Sequence, residues 1–487
     1  MLDNAHSLAA FAPELVLAAT VLVVLAADLA VGRLRIGAVA VLSLVGVAAA
    51  AWATLATAGA PRGLFFGLVA RDPYGDFFKL LFLMTAALVA LVALRAGDAV
   101  EESAAELYAL LLTTTLGMML MAAARDLLMA YLSLETVSIM SYVLAGFRRR
   151  ARASAEAALK YVVYGGVASG VMLYGMSLFY GLAGATSFPA ILQAAGSTTA
   201  APTVVLAVVL CLAGFGYKVA SVPFHMWCPD VYEGAPTVVS AFLAVGPKAA
   251  GFALLLRFCA GVLPAELGGA PAPWPLLFGL VAVATMTLGN LAALAQTNVK
   301  RLLAYSSIAH AGYLLLAIVA GGRDGVRALL LYLVAYVFMT LGAFVVVIAV
   351  AERGVGDELP AWRGLGRRAP WAAASMTLFL LALTGLPPLS GFFAKFYVFY
   401  ALVARGGSFM IALAVVGVLN STVSLYYYAR VLKTMYFEAA PEQSGDTELP
   451  LYKLHTTLLA LLAAPTVALC AVWQPLARFV DVSLSQW

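Results

Sequence analysis

The sequence predicts an all-α, polytopic membrane protein of about 14 transmembrane helices. Of its 487 residues, 64% are hydrophobic and 11% are charged, whereas a soluble protein carries about 25% charged residues. Apolar stretches recur from one end of the chain to the other, and at about 20 residues each they can cross about 30 Å of hydrocarbon. The sequence has no run of about 10 residues with strand-like alternation, which excludes a membrane β-barrel.

The position of each span follows from the length of its apolar run. The predicted spans, numbered in chain order, cover residues 10–31, 36–58, 76–95, 104–123, 127–147, 158–182, 203–222, 237–258, 275–297, 302–320, 326–350, 372–402, 408–430 and 454–474. The opening segment MLDNAHSLAAFAPE contains acids but no Lys or Arg, and no A-x-A site follows the first apolar run. These are not the features of a cleaved signal peptide, so we expect span 1 to be retained.

The basic residues alternate between loops in a pattern that predicts the orientation of the chain. Sixteen Lys and Arg residues fall in the odd-numbered loops and seven in the even-numbered loops. By the positive-inside rule, the odd loops face the cytoplasm and both termini face the outer side of the membrane. The net charge of +5 therefore reflects membrane topology, and we expect no nucleic-acid partner.

Proline lies close to a deep lysine in three of the spans. The pairs are Pro223 with Lys218, Pro247 with Lys248, and Pro387-Pro388 with Lys395. Because proline removes a backbone donor and clashes with the preceding turn, each of these spans should kink or unwind there. Spans 7 and 12 share this feature and lie five spans apart, which favours an inverted repeat of the kind found in transporters. Coincidence is the alternative, since proline is frequent in membrane helices.

Four ionisable side chains lie deep inside predicted spans: Glu135, Lys218, Lys248 and Lys395. A charged side chain at the centre of a membrane costs at least about 2.5–3.5 kcal/mol, so such residues usually mark an ion or proton path. A Glu135–lysine pair would act as a switch, because separating the two charges weakens the lysine's hold on its proton. The alternative for Glu135 is a neutral acid bonded to Ser138 at a helix-packing interface, and for the lysines it is snorkelling.

Weaker candidates surround these four. Lys160, His225 and His310 could take part in proton transfer, although Lys160 could also snorkel and a histidine can be a simple hydrogen-bonded core residue. Lys79, near the outer end of span 3, is expected to snorkel. Hydroxyls at Tyr305, Ser306 and Ser307 could hold water, or could bridge helices structurally.

The four cysteines, Cys211, Cys228, Cys259 and Cys470, are scattered singly. Without paired spacing they argue against an iron–sulfur or zinc site in this chain. We therefore expect no cofactor and no metal here.

Two segments resemble the hallmark blocks of a known family, the antiporter-like membrane subunits of respiratory complex I and of multisubunit Na⁺/H⁺ antiporters. They are VPFHMWCPDVYEGAPTVVSAFLAVGPKAAGFA (222–253) and QTNVKRLLAYSSIAHAGYLLL (296–316). The resemblance implies a single membrane domain with broken spans 7 and 12 and inverted repeats over spans 4–8 and 9–13. The corresponding segments are N-terminal helices 1–100, a first repeat 101–262, a second repeat 272–437 and a C-terminal helix 450–487.

The resemblance also implies function. Glu135, Lys218, Lys248 and Lys395 match the family's proton-relay positions, and Lys160 and His225 match further polar positions. A complex I subunit of this kind would lie in the bacterial inner membrane beside sister and small membrane subunits. It would translocate protons, driven by NADH-to-quinone electron transfer through FMN and iron–sulfur clusters in other subunits.

Two other interpretations stay open at this point. The first is a subunit of a cation/proton antiporter that is driven by an ion gradient. Sodium needs several oxygen ligands at one site, and a lysine-rich path offers few. The second is a structural subunit whose charges only hold helices together.

Overall fold

The computed structural model describes residues 4–59, 62–95, 103–196, 201–440 and 448–485. The helices of the first half are α1 (Asn4–Ala10), α2 (Ala12–Val31), α3 (Ile36–Ala56), α4 (Pro73–Ala93), α5 (Ala104–Ala123), α6 (Leu127–Ala145), α7 (Arg152–Ala183), α8 (Phe188–Ala195), α9 (Ala201–Val219), α10 (Trp227–Gly234) and α11 (Thr237–Val262). Those of the second half are α12 (Trp274–Leu294), α13 (Val299–Ala320), α14 (Gly322–Ala351), α15 (Leu365–Arg368), α16 (Pro370–Thr384), α17 (Ser390–Arg405), α18 (Ser408–Phe437), α19 (Lys453–Ala471) and α20 (Trp473–Ser483).

Strands are confined to two short antiparallel hairpins in the described residues. β1 (Arg62–Leu64) pairs with β2 (Val69–Arg71), and β3 (Glu266–Leu267) pairs with β4 (Ala270–Pro271). Both hairpins lie in loops between long helices, so the fold is all-α, as predicted.

Thirteen of the described helices are long and apolar enough to cross a membrane. The remaining predicted span, 372–402, is divided between the shorter helices α16 and α17. The prediction of about 14 spans is therefore confirmed, and the chain is a multi-pass membrane protein. Three of the helices begin at polar caps that the sequence supplies: the carboxylates of Asp72 and Asp126 and the amide of Asn298 each accept a backbone N–H of the following helix.

The described chain divides into two compact units. Helices α1 to α9 and the part of α11 from Gly246 onward form the first unit. Helix α10, the part of α11 up to Val245, α12 to α19 and most of α20 form the second. The four sequence segments given above stay a prediction, and the boundary between residues 100 and 101 lies outside the described residues. The inverted relation of the two repeats also stays a prediction.

The predicted breaks in spans 7 and 12 are confirmed. Span 7 stops being helical after Val219 and resumes at Trp227, and span 12 stops after Thr384 and resumes at Ser390. The backbone N–H of Val222, inside the first break, donates to the Thr285 hydroxyl at 3.0 Å, which satisfies a donor that would otherwise be exposed to hydrocarbon. At the third proline the span does not unwind, because α11 is a continuous helix through Pro247, and the kink there stays a prediction.

The expectation that Lys79 snorkels is also wrong. Lys79 is buried, and its Nζ lies 2.6 Å from a carboxylate oxygen of Glu14, a fully buried residue of α2. The ion pair joins α2 to α4 inside the first unit. Sequence reasoning overlooked it because Glu14 and Lys79 are distant in the chain, and position within a span does not reveal a partner on another helix.

Candidate functional site: two clusters around buried lysines

The first cluster surrounds Lys218, which lies in the last turn of α9 and is 2% exposed. Its Nζ donates to the Ser138 hydroxyl at 2.9 Å. Ser138 lies one helical turn after Glu135 on α6. The Glu135 carboxylate accepts a hydrogen bond from Ser169 of α7. The structure thus brings Glu135 and Lys218 into one cluster, with serine hydroxyls holding both.

Tyrosines extend this cluster along α6. The Tyr217 hydroxyl, next to Lys218 in sequence, donates to the Tyr142 hydroxyl at 3.3 Å and lies 3.2 Å from the carbonyl of Tyr161. Glu135, Ser138 and Tyr142 follow the spacing i, i+3, i+7, which places them on one face of α6. That face therefore carries a row of groups able to donate or accept a proton.

Helix α11 carries Lys248 and packs against the stem of Lys218. Lys248 is 2% exposed, and Gly251 lies one turn after it. A Cβ added at Gly251 would lie 3.1 Å from Cγ of Lys218. The absence of a side chain at Gly251 therefore lets α11 approach Lys218 closely.

The second cluster surrounds Lys395 of α17, which is 4% exposed. Its Nζ donates to the carbonyl oxygen of Thr384 at 2.8 Å and to the Ser421 hydroxyl at 2.9 Å. The ammonium also lies 4.6 Å from the centre of the Tyr313 ring. Thr384 is the last residue of α16, where backbone carbonyls have no helical partner and the helix dipole is negative. The break in span 12 thus creates the oxygen that binds Lys395.

His310 belongs to a buried hydroxyl network in the same unit. Its Nδ1 lies 2.7 Å from the Tyr332 hydroxyl, and its ring packs 5.2 Å from that of Tyr336. Tyr336 in turn donates to Ser307 at 2.9 Å. One turn beyond His310 on α13, Tyr313 contacts it ring to ring. A chain of contacts therefore leads from His310 through Tyr313 to Lys395.

The remaining sequence candidates have surroundings of their own. Lys160 is half-buried on α7 and forms an ion pair with Glu156 at 2.7 Å. His225 is buried in the break of span 7, and its Nδ1 has no hydrogen-bond partner in the described part of the chain. Ser306 bonds to the Tyr428 hydroxyl.

Several functional groups were missed by sequence reasoning. They are Ser169, Tyr142 and Tyr217 around Lys218, and Thr384, Ser421 and Tyr313 around Lys395. For Ser169 and Ser421 the sequence offered no signal, since serine is common in membrane helices. The Thr384 carbonyl could have been found, because a helix that ends before Pro387-Pro388 must leave free carbonyls beside the next half-helix.

These groups are suited to proton transfer. Amine, carboxylate, imidazole and hydroxyl groups can all exchange or relay protons. The described residues contain no group of three or more His, Cys, Asp or Glu side chains placed to hold a metal ion.

Comparison with known proteins gives the family. A family model described as NADH:quinone oxidoreductase/Mrp antiporter, transmembrane, matches residues 124–421. The chain belongs to this antiporter-like family. NADH-quinone oxidoreductase subunit N 2 of Sorangium cellulosum is 52% identical over 503 residues, covering 99% of this chain and 98% of the relative. The family resemblance seen in segments 222–253 and 296–316 is confirmed.

Solved structures show the same antiporter-like fold. A chain of respiratory complex I from Thermus thermophilus, solved with bound aureothin, has a TM-score of 0.80 and 34% identity, covering 96% of this chain and 98% of that one. A chain of the Mrp complex from a Dietzia species has a TM-score of 0.83 at 21% identity, covering 98% of this chain and 97% of that one. The second likeness shows the fold alone.

Two sequence details predict the subunit N branch of the family. They are KAAGFA after the proline of span 8 and LPPLSGFFAKFYVF in span 12, where a lysine, Lys395, stands in place of the glutamate expected in subunit M. The name of the Sorangium relative confirms this branch.

Proposed function

We propose that this chain is a proton-translocating membrane subunit of an NADH-quinone oxidoreductase. The observation that carries the proposal is that Lys218 and Lys395, both buried and both beside helix breaks, are held by neutral hydroxyl or carbonyl oxygens. Burial disfavours the charged form of such a lysine, so its charged and neutral forms are closer in free energy than in water. A lysine in this setting can bind and release a proton.

The side chains have distinct roles in this proposal. Protons enter from the cytoplasm, with Lys218 as the central carrier and Glu135 controlling how tightly Lys218 holds its proton. Lys248 passes protons sideways, and Lys395 releases them toward the outer face. His310 exchanges protons with the Tyr332 hydroxyl in the same unit as Lys395. Lys160 and His225 are auxiliary relay groups.

The setting of the chain follows from the same proposal. The chain lies in the inner membrane, both termini face the periplasm, and sister and small membrane subunits surround it. Electron transfer from NADH to quinone, through FMN and iron–sulfur clusters in other subunits, supplies the energy. No redox step takes place in this chain.

Glu135→Gln tests the role of the switch. We expect the complex to assemble, because glutamine can keep the hydrogen bond from Ser169, and we expect fewer protons to be translocated per NADH oxidised. Loss of a positioned acid or base typically costs about 10²-fold or more in the step it serves, so this chain's own proton flux should be nearly lost. The measurement is dye-detected acidification of proteoliposomes that contain the purified complex.

Glu266→Gln, a change at an exposed acid in the β3–β4 hairpin, is the control and should leave the proton-to-NADH ratio unchanged. A Glu135→Gln complex that translocates as many protons per NADH as the unmodified complex would rule out the role of Glu135 as a switch. Proton transport by a tagged preparation that contains no NADH-quinone reductase activity would instead support the gradient-driven antiporter.

A further inference from the structure

An ion pair near the end of α11 connects the helix that carries Lys248 to the start of α4. Asp72 caps α4 by accepting the N–H of Gly75 at 2.7 Å. The same carboxylate receives both terminal nitrogens of Arg257, at 2.8 and 2.6 Å. Such a two-point contact fixes orientation as well as distance. Arg257 therefore cannot slide or rotate relative to α4 without losing at least one of these bonds.

Two further contacts hold the same part of α11. The Tyr74 hydroxyl donates to the carbonyl of Ala253 at 2.8 Å, and the Arg257 guanidinium lies 4.7 Å from the centre of the Tyr74 ring. The Nε–H of Arg257 donates to the carbonyl of Ala122 at the end of α5. Two elements of the first unit, α4 and α5, thus contact one turn of α11.

The pair stays charged at neutral pH. Burial alone raises the pKa of Asp72, but the charge and hydrogen bonds of Arg257 outweigh burial and hold that pKa below its ordinary value. The Asp72 carboxylate therefore keeps, at neutral pH, the negative charge that the two-point contact requires.

The segment that these contacts hold begins at Lys248. Pro247 has no backbone N–H, so the helical hydrogen bond to residue 243 is missing directly before Lys248. With one backbone hydrogen bond fewer, α11 is less rigid at this point than an α-helix without proline. The direction of the segment that follows is therefore fixed less firmly by the helix itself. Arg257 lies nine residues after Lys248, about 13 Å farther along the axis, where a fixed anchor sets the position of the segment.

We propose that Asp72 and Arg257 are positioning residues for Lys248, and that through them helix α4 takes part in proton transfer. The inference rests on the proposed relay role of Lys248. It assigns a specific task to the start of α4, which is to hold the Lys248 segment of α11 in register with Lys218.

Asp72→Asn separates this role from helix capping. Asparagine caps a helix about as well as aspartate, so the bond from Gly75 persists while the charge pair is lost. In purified complex reconstituted into proteoliposomes, we expect a lower number of protons per NADH, at least half the decrease that Lys248→Met causes. Arg257→Lys keeps the charge but loses the two-point contact, so we expect a smaller decrease in the same direction.

Glu106→Gln is the matched control, because it breaks the Arg149–Glu106 pair, whose side chains are 83% and 54% exposed. Its proton-to-NADH ratio should equal that of the unmodified complex. An unchanged ratio in assembled Asp72→Asn complex, alongside a lowered ratio in Lys248→Met, would overturn the positioning role and leave the relay intact. An unchanged ratio in Lys248→Met would instead overturn the relay role of that lysine.

Tyr74→Phe covers the case in which Asp72→Asn fails to assemble. The phenylalanine keeps the ring beneath Arg257 and removes only the hydrogen bond to Ala253. A lowered proton-to-NADH ratio in this variant supports positioning of the segment. The Asp72–Arg257 contact itself is then tested by Arg257→Lys, in which an unchanged ratio overturns the positioning role. A purely structural role would reduce the amount of complex recovered without changing the ratio.

Discussion

Replacing Lys218 by methionine is expected to abolish the proton flux carried by this chain while the complex still assembles. Methionine fills a similar volume, and removing a buried charge also removes its desolvation cost, so the packing of α9 should survive. Without an ammonium beside Ser138, no group at this point of the first cluster can bind the transferred proton. We expect a loss of about 10²-fold or more in this chain's flux, measured as protons translocated per NADH in proteoliposomes.

Lys433→Met provides the control for the loss of a lysine as such. Lys433 is 70% exposed, and its nearest carboxylate oxygen, on Glu438, lies 3.9 Å away. Its removal should leave the ratio unchanged. The contrary outcome is a Lys218→Met complex that assembles poorly but translocates protons normally in the fraction recovered. Lys218 would then be structural, as in the interpretation in which buried charges only hold helices together.

Gly391→Ala is expected to damage the Lys395 site without touching a titratable group. Gly391 lies in the first turn of α17, and an added Cβ would overlap the carbonyl oxygen of Ala382 in α16. The two half-helices must then move apart, which displaces the Thr384 carbonyl from Lys395. Forced overpacking costs about 1–3 kcal/mol, so we expect a lower thermal midpoint of the complex together with a lower proton-to-NADH ratio.

The control for this substitution is Gly170→Ala. Gly170 lies in the interior of α7, and a Cβ added there meets no atom within 4 Å. Alanine in a helix interior is favoured over glycine by about 0.5–1 kcal/mol, so the thermal midpoint should stay the same or rise. A Gly391→Ala complex with the midpoint and ratio of the unmodified complex would show that the close approach of α16 and α17 does not support the site.

The fold could largely be predicted because the membrane imposes simple rules on the sequence. Span lengths follow from bilayer thickness, and the breaks at Pro223 and Pro387-Pro388 follow from the missing backbone donor of proline. At Pro247 the same rule allows a kink or an unwound turn, and α11 does not unwind there. Membrane helices tolerate proline where neighbouring groups surround the carbonyl that proline leaves without a helical partner. Helix α11 is buried on both sides of Pro247, so it provides this setting.

The candidate site could be predicted only in part. Lys218 and Lys395 were identifiable because a cation in an apolar run is conspicuous, but the serine hydroxyls around them were not. Ser138, Ser169 and Ser421 resemble any serine in a membrane helix, whereas the Thr384 carbonyl could be inferred from the helix end before Pro387-Pro388. The pairs Glu14–Lys79 and Asp72–Arg257 join residues far apart in the chain. They could not be predicted from the sequence, because they depend on which helices pack against each other.

The central claim is that protons pass through one relay in which Lys218 and Lys395 act in series. The most direct test is the number of protons translocated per NADH by a complex that carries Lys218→Met and Lys395→Met together, compared with each single variant. For groups in series, the double variant should lose no more than either single variant, because one block already stops the flow. A ratio equal to that of the unmodified complex, or a double loss equal to the sum of the single losses, would contradict this account.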